Sequence, residues 1–488
     1  MNQFIIAPII LPAALAGLIV LVARRNLAAQ RMISGLGAAA LIALAVVLLV
    51  QASAGPQGYF LGHWPAPFGI ALMVDRLTAL MLALVAGLSA VVLLYVVGSG
   101  WDKRGAHFHT LFMFQLMGLN GAFLTADAFN LFVFFEVLLI ASYGLMVHGG
   151  GADRLRAGVQ YVAFNLLGST LFLFGLSVVY AVLGTLNMAD MAVKLATLPP
   201  GDVALMRVAA VMLLLVFAIK GALVPMQFWL PGTYAVAPGP VAALFAVMTK
   251  VGAYAVIRLG TLIFGAEATA GLWAGLLWPA ALITIGVGAL GVLGARGLAR
   301  MVAFAAIGSM GVLFLAVSVG TPQATAAALY YLLHSTMAMA VLFLLADLIG
   351  AQRGDGLTPA APLHGAIAAL FMVAAIAMAG MPPLSGFIGK LQVMDALRDP
   401  LAWSVILAGS FLTMLGLARA GSVLFWKTEG VARATPALVP VLAIGVALVA
   451  LVAQTVFAGP LMAWLTVAAD ALHDPAASIA VMRLGEAP

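Results

Sequence analysis

The 488-residue sequence contains no cysteine. That excludes disulfides, thiolate-held iron–sulfur clusters and a cysteine nucleophile, so any redox centre working with this chain must belong to a partner. Charge is the second shortage: Asp, Glu, Lys and Arg make up only 8% of residues, against about 25% in a soluble globule. Hydrophobic residues make up 65%, and the two figures together describe a polytopic helical membrane protein. Long polar stretches are missing as well, and no loop is long enough for a separate soluble domain. The net charge of +6 does not point to nucleic acid, because the basic residues fall mainly in short loops between apolar runs, where they orient a membrane protein. No metal-ligand cluster and no nucleophile–base constellation is present, so neither metal nor cofactor is expected. Gly286, Gly288 and Gly291 match G-x-G-x-x-G, but that fingerprint must follow a strand and open a helix. These glycines lie inside an apolar span, where small residues let membrane helices approach closely.

Crossing the hydrocarbon takes about 20 apolar residues, and about fourteen such runs follow one another along the chain. The first, 4–23, has no basic n-region and no small-residue cleavage site, and it reads as a retained anchor. Counting loops onward, one side carries Arg24, Arg25, Arg31, Lys103, Arg104, Arg154, Arg156, Arg296, Arg300, Arg353, Lys427 and Arg433. The other carries Lys194, Arg207, Arg398 and Arg483. The basic side is predicted to face the cytoplasm, which puts both termini on the non-cytoplasmic side of the cell membrane.

Against this apolar background five titratable residues stand out inside the spans. Lys220 lies in V-M-L-L-L-V-F-A-I-K-G-A-L-V-P, Lys250 in A-V-M-T-K-V-G-A-Y-A-V-I, and Lys390 in M-P-P-L-S-G-F-I-G-K. Glu136 lies in N-L-F-V-F-F-E-V-L-L-I-A-S-Y and His334 in Y-Y-L-L-H-S-T-M-A-M-A-V-L-F. A lysine at the centre of a membrane helix costs about 2.5 to 3.5 kcal/mol on insertion scales, and such groups mark ion or proton paths. Glu136 and Lys220 form a candidate switch: neutralising the carboxyl removes the counter-ion of the ammonium, which then gives up its proton more readily. His334 titrates near neutrality and suits transfer between Lys250 and Lys390, with Ser335 and Thr336 beside it to hold water.

Other polar residues read as structural. Asp75 and Arg76 form an interfacial pair, Arg419 snorkels to the cytoplasmic surface, and Asp347 is a helix-end acid with ion uptake as the alternative. His107, His109, His148 and His364 lie at span ends in solvent, and Phe132, Phe134 and Phe135 are packing residues.

Prolines organise the middle of the chain. Pro225, Pro231 and Pro238 interrupt the run 205–226 and its exit, and Pro382 with Pro383 interrupts 364–394; a proline inside a helix frees a carbonyl and kinks the rod. Broken helices at matching places in two halves point to inverted repeats around a midplane path. The expected division is 1–108 for three amino-terminal spans, 109–260 for a first repeat of spans 4–8, 271–427 for a second repeat of spans 9–13, and 428–488 for the last span and tail. The match between halves is imperfect, because Lys220 precedes its proline whereas Lys390 follows its pair.

The stretch Lys220 to Arg258, K-G-A-L-V-P-M-Q-F-W-L-P-G-T-Y-A-V-A-P-G-P-V-A-A-L-F-A-V-M-T-K-V-G-A-Y-A-V-I-R, resembles the signature of the antiporter-like membrane subunits. That family is shared by respiratory complex I, membrane-bound hydrogenases and Mrp/Pha-type multisubunit cation/proton antiporters. The likeness extends to F-F-E, to the histidine of span 11 and to P-P-L-S-G-F-I-G-K. It implies a fourteen-helix fold with two inverted five-helix repeats, and Glu136, Lys220, Lys250, His334 and Lys390 as the proton relay. Lys390 where one complex I subunit has glutamate, and a chain ending soon after span 14, favour the D subunit of the Mrp/Pha branch. Ser309 stands where many relatives have histidine, and a serine cannot titrate there. The expected function is therefore proton translocation within a multisubunit Na⁺(K⁺)/H⁺ antiporter, a secondary transporter rather than an enzyme. Its partners would be the other antiporter subunits, protons, Na⁺ or K⁺, and membrane lipid. The alternative is a proton-pumping subunit of a redox complex.

Overall fold

A computed structural model describes residues 3–64, 67–429 and 435–483; Arg433, assigned above to a cytoplasmic loop, lies outside them. The apolar runs become helices: α1 (Ala7–Leu21), α2 (Leu27–Ala54), then after a hairpin α3 (Arg76–Ser99), α4 (Phe108–Leu124), α5 (Ala128–Met146) and α6 (Ala152–Leu183). The central part holds α7 (Met188–Ala196), α8 (Val203–Lys220), α9 (Trp229–Tyr234), α10 (Gly239–Leu262), α11 (Leu272–Gly294), α12 (Leu298–Ser318) and α13 (Pro322–Arg353). The remainder holds α14 (Gly365–Ala379), α15 (Ser385–Leu397), α16 (Pro400–Gly421), α17 (Leu438–Val456), α18 (Ala458–His473) and α19 (Ala476–Arg483). Helix starts follow side-chain chemistry: Asn26, Asp75, Asp127, Asn187, Thr321 and Asp399 each accept a hydrogen bond from a backbone amide of the first turn, satisfying donors that a helix leaves free.

Eleven helical stretches among the described residues are long and apolar enough to cross a membrane. Three expected runs fall short as single helices: α1 has 15 residues, α4 has 17, and 364–394 is divided into α14 and α15 at Pro382 and Pro383. The final run also divides, at Phe457, into α17 and α18.

The all-helical expectation needs one correction. Strands β1 (Gln57–Phe60) and β2 (Ala71–Val74) pair antiparallel with Gln57 opposite Val74. The four residues of β2 are all buried, and a short apolar run reads equally well as the start of a helix. Here the helix waits for its cap at Asp75.

Helix α10 is buried all round, as a helix without a polar face must be, and it forms the axis on which α3, α8, α12 and α13 pack. Glycines set how closely neighbours approach. A Cβ on Gly288 would collide with the backbone of Gly308, so this glycine of α11 seats α12 directly against it.

Loop contacts sort the chain into two ends. At one end Arg31 meets Asp102 at 2.6 Å, Arg154 donates to the Val236 carbonyl at 3.0 Å, and Leu357 donates to Arg296 at 2.9 Å. At the other, Ala126 donates to Ala71 at 2.9 Å, Arg76 to Ser53 at 2.9 Å, and Thr325 meets His473 at 2.9 Å. Each contact joins loops that the charge count places on the same side.

Three polar residues sit differently from expectation. Asp75 does not pair with Arg76, whose guanidinium lies 5.3 Å from the Trp464 ring centroid. Asp75 instead receives two hydrogen bonds from Arg258 of α10, at 2.5 and 2.8 Å, in a buried bidentate pair. His109 and His148 are buried rather than solvated. His109 bridges Ser34 at 3.0 Å and Asp102 at 3.3 Å, and His148 meets the Trp101 carbonyl at 2.9 Å. Burial alone would raise the Asp102 carboxyl, but the Arg31 guanidinium and His109 outweigh it and hold it below the usual carboxylate range.

Candidate functional site

Helix α8 stops at Lys220 because Gly221, Ala222 at φ +55° and Pro225 cannot continue it. The groups freed by the break find partners: Val224 donates to Thr284 of α11 at 3.0 Å, and the Trp229 indole donates to the Ile219 carbonyl at 3.0 Å. In a membrane such backbone must be satisfied internally. Lys220 is thus the last residue of a half-helix, where the dipole favours a cation. Its ammonium is buried and donates to Asn165 of α6 at 2.9 Å.

Glu136, on α5, accepts from the Ser169 hydroxyl. Among the described residues Glu136 and Lys220 make no ion pair within 4.0 Å. They meet instead through α6, where Asn165 and Ser169 lie one turn apart on the same face. The two charged groups expected to pair directly are thus each bonded to a neutral side chain of α6 instead. Ser169→Ala is expected to lower proton movement several-fold, and Asn165→Leu by more, since it leaves a buried ammonium without its acceptor. Flux in vesicles at matched expression checks both.

The second break is built differently. Helix α14 ends at Ala379, Gly380 turns the chain at φ +76°, and α15 begins at Ser385. The Lys390 ammonium reaches back from α15 to donate to the freed Ala379 carbonyl at 2.9 Å and to Ser410 of α16 at 2.8 Å. A Cβ on Gly380 would come within 2.9 Å of that nitrogen, so the glycine makes the approach possible. Both ammonium groups thus lie at the carboxyl end of a half-helix, Lys220 as the last residue of α8 and Lys390 from across the break through the Ala379 carbonyl of α14.

Lys250 lies between these two sites on α10. It is fully buried, and its nitrogen meets Met310 Sδ of α12 at 3.1 Å. Gly252, two residues on, presses α10 against the break of α8, since a Cβ there would sit 2.8 Å from the Phe217 carbonyl and 3.3 Å from Lys220 Cβ. His334 of α13 is buried, shares a hydrogen bond with Ser385 at 2.9 Å, and lies within electrostatic reach of both Lys250 and Lys390. Ser309 donates to the Ala306 carbonyl and, with Lys390, Ser410, Tyr331 and Thr413, lines a cavity of about 320 Å³.

The helices that carry these groups pack in sequence: α5 on α6, α6 on α8, α8 on α10, α10 on α13, α13 on α15 and α15 on α16. Residues that sequence reasoning passed over are Asn165, Ser169, Thr284, Ser385 and Ser410. Asn165 and Ser169 did carry a signal, as polar residues four apart inside the apolar run 158–183. Asp347 accepts from Tyr95 at 2.7 Å and Trp101 at 2.9 Å and lies against Gly239, the first residue of the helix that carries Lys250. Arg419 donates to the Ala295 carbonyl at 2.7 Å at the same end.

A bundle of apolar helices with two proline breaks and titratable side chains buried between adjacent helices is a polytopic membrane protein with ionisable groups held in its interior. Residues 125–416 match the family model described as NADH:quinone oxidoreductase/Mrp antiporter, transmembrane, and the chain belongs to that family. It is 37% identical to a Rhizobium meliloti protein named as the D subunit of a probable K(+)/H(+) antiporter, across 97% of this chain and 96% of that one. It is 38% identical to the D subunit of the Na(+)/H(+) antiporter of Bacillus subtilis, across 88% of each. A chain in the structure of the Mrp complex from Dietzia superposes with a TM-score of 0.90 at 26% identity, covering 99% of this chain and all of that one.

Proposed function

We propose that this chain is the proton-translocating D subunit of a multisubunit Na⁺(K⁺)/H⁺ antiporter. Protons pass along Glu136, Lys220, Lys250, His334 and Lys390, coupled within the complex to Na⁺ or K⁺ moving the opposite way. The observation that carries this reading is the run of mutually packed helices α5, α6, α8, α10, α13 and α15, with Lys220, Lys250, His334 and Lys390 buried among them and Glu136 half-buried at its start. The names of the relatives, which span nearly the same length, support antiport as the work this path performs. The chain is a transporter subunit in this reading, not an enzyme, and its partners are the other antiporter subunits and the lipid around them.

The architecture is read as fourteen crossings, adding α1, α4 and the α14–α15 pair to the eleven long helices. Both termini lie on the non-cytoplasmic side of the cell membrane. Residues 1–108 form the amino-terminal helices, 109–260 and 271–427 the two inverted repeats, and 428–488 the last helix and tail. Parallel packing supports the repeats: α4 on α5 corresponds to α11 on α12, α6 on α8 to α13 on α14 and α15, and α8 on α10 to α14 on α16.

A proton-pumping role in a redox complex is the second reading, since the family description covers NADH:quinone oxidoreductase as well. Energy source separates them. Each charge crossing at 100 mV contributes about 2.3 kcal/mol, enough to drive cation exchange without electron transfer. Inverted vesicles holding the whole complex are poised with a pH gradient, and Na⁺, K⁺ or an electron donor is then added. Dissipation on cation addition is the expected result. Proton movement that follows only NADH or hydrogen oxidation would replace antiport with the redox pump.

A further inference from the structure

At the end of the bundle opposite Asp347, the chain lines a second polar cavity, of about 1150 Å³, between the last turns of α10 and α12, the first turns of α11 and α13, and the end of α18. Its lining includes Ser318, Thr325, Thr269, Thr261 and one titratable side chain, His473. Nε2 of His473 meets Thr325 Oγ1 at 2.9 Å, which ties the tail helix to the start of the helix that carries His334. On α10 the lining extends inward along the chain as far as Val256 and Ile257. Val256 is six residues past Lys250 on the same helix, about 9 Å at 1.5 Å per residue, roughly the span of three hydrogen-bonded waters. At the other end the cavity of about 970 Å³ beside Asp347 reaches α10 only at Gly239, eleven residues and about 16 Å from Lys250. The His473 cavity is therefore the shorter way from Lys250 to an aqueous surface.

We propose that this cavity is the port through which Lys250 exchanges protons with the non-cytoplasmic face, with His473 as the group that takes up and releases the proton there. The transfer is a simple hop: the imidazole accepts a proton on Nδ1, while Thr325 holds the ring through Nε2. Burial works against the protonated ring, and Asp470, one turn earlier on α18 and the charge acting on it among the described residues, favours it. The proposal rests on the antiport reading, and it gives a role to a tail helix that the relay does not use.

Two arms test it in the intact complex. His473→Gln keeps a hydrogen-bonding side chain for Thr325 but cannot carry a proton, and it is expected to lower cation-dependent proton flux at least about tenfold with assembly unchanged. The second arm uses the absence of cysteine: Thr261→Cys places one thiol in the cavity wall. A charged, membrane-impermeant thiol reagent given to intact cells before inverted vesicles are made should block flux, and the same reagent given after inversion should not; the wild-type complex treated alike is the control. Full flux in His473→Gln, or block from the cytoplasmic face, overturns the port. A wild-type complex without any cation response would instead overturn antiport, and the thiol arm, read as labelling, would still decide which face the cavity opens to.

Discussion

Lys250→Met should abolish cation-dependent proton movement, by about 10²-fold or more, in a complex that assembles and unfolds at the wild-type temperature or slightly above it. The separation of activity from stability is what makes this informative. Lys250 is fully buried in a helix with no polar face, and its one hydrogen-bond partner among the described residues is a thioether, a weak acceptor. Methionine has nearly the same length, fills the same volume against Met310, and removes the desolvation cost of the amine. Only the exchangeable proton is lost. Lys250→Arg supplies the converse: it keeps a charge and cannot release it, so it should be equally inactive. Flux in vesicles, together with thermal unfolding of the purified complex, reads both halves of the prediction. Retained flux in Lys250→Met would remove Lys250 from the path.

The largest expected effect on stability is at the far end of the same helix. Asp75→Asn should cost about 3 to 5 kcal/mol, because it leaves the Arg258 guanidinium buried without its counter-charge. Asparagine still accepts from the Thr78 amide, so the cap of α3 is kept and the loss isolates the ion pair. Asp75→Asn combined with Arg258→Met should recover most of the stability, since no unpaired charge then remains. Thermal unfolding of the three variants in detergent decides it. Additive rather than compensating losses would show that Asp75 and Arg258 act through other neighbours.

How much of this is legible in the sequence follows from the range of the signals. Hydropathy and proline are local, so the long helices and both breaks can be read directly, as can the five titratable residues that stand out against apolar neighbours. Pairing is not local. Asp75 and Arg258 are 183 residues apart, and nothing in L-M-V-D-R-L prefers that partner to the adjacent arginine. His109 and His148 read as solvated from their places at helix ends, whereas Ser34, Asp102 and the Trp101 carbonyl give them buried partners from other segments. Glu136 and Lys220 read as a direct pair because charge suggests charge; the structure interposes the neutral Ser169 and Asn165. The unequal spacing of Lys220 and Lys390 from their prolines hides a shared trait that only the geometry shows: Lys220 is the last residue of α8, and Lys390 reaches back to the last carbonyl of α14.

The central claim is that protons exchanged for cations cross through the buried residues of this chain, and the most direct test is a comparison of wild type with Lys220→Ala. Inverted vesicles containing all subunits are energised by respiration, and the collapse of the pH gradient is followed as Na⁺ or K⁺ is added. The account predicts that cation collapses the gradient in wild type and leaves it standing in Lys220→Ala, with the complex assembled in both. An unaltered cation response in Lys220→Ala would contradict it, because the protons would then be crossing somewhere else.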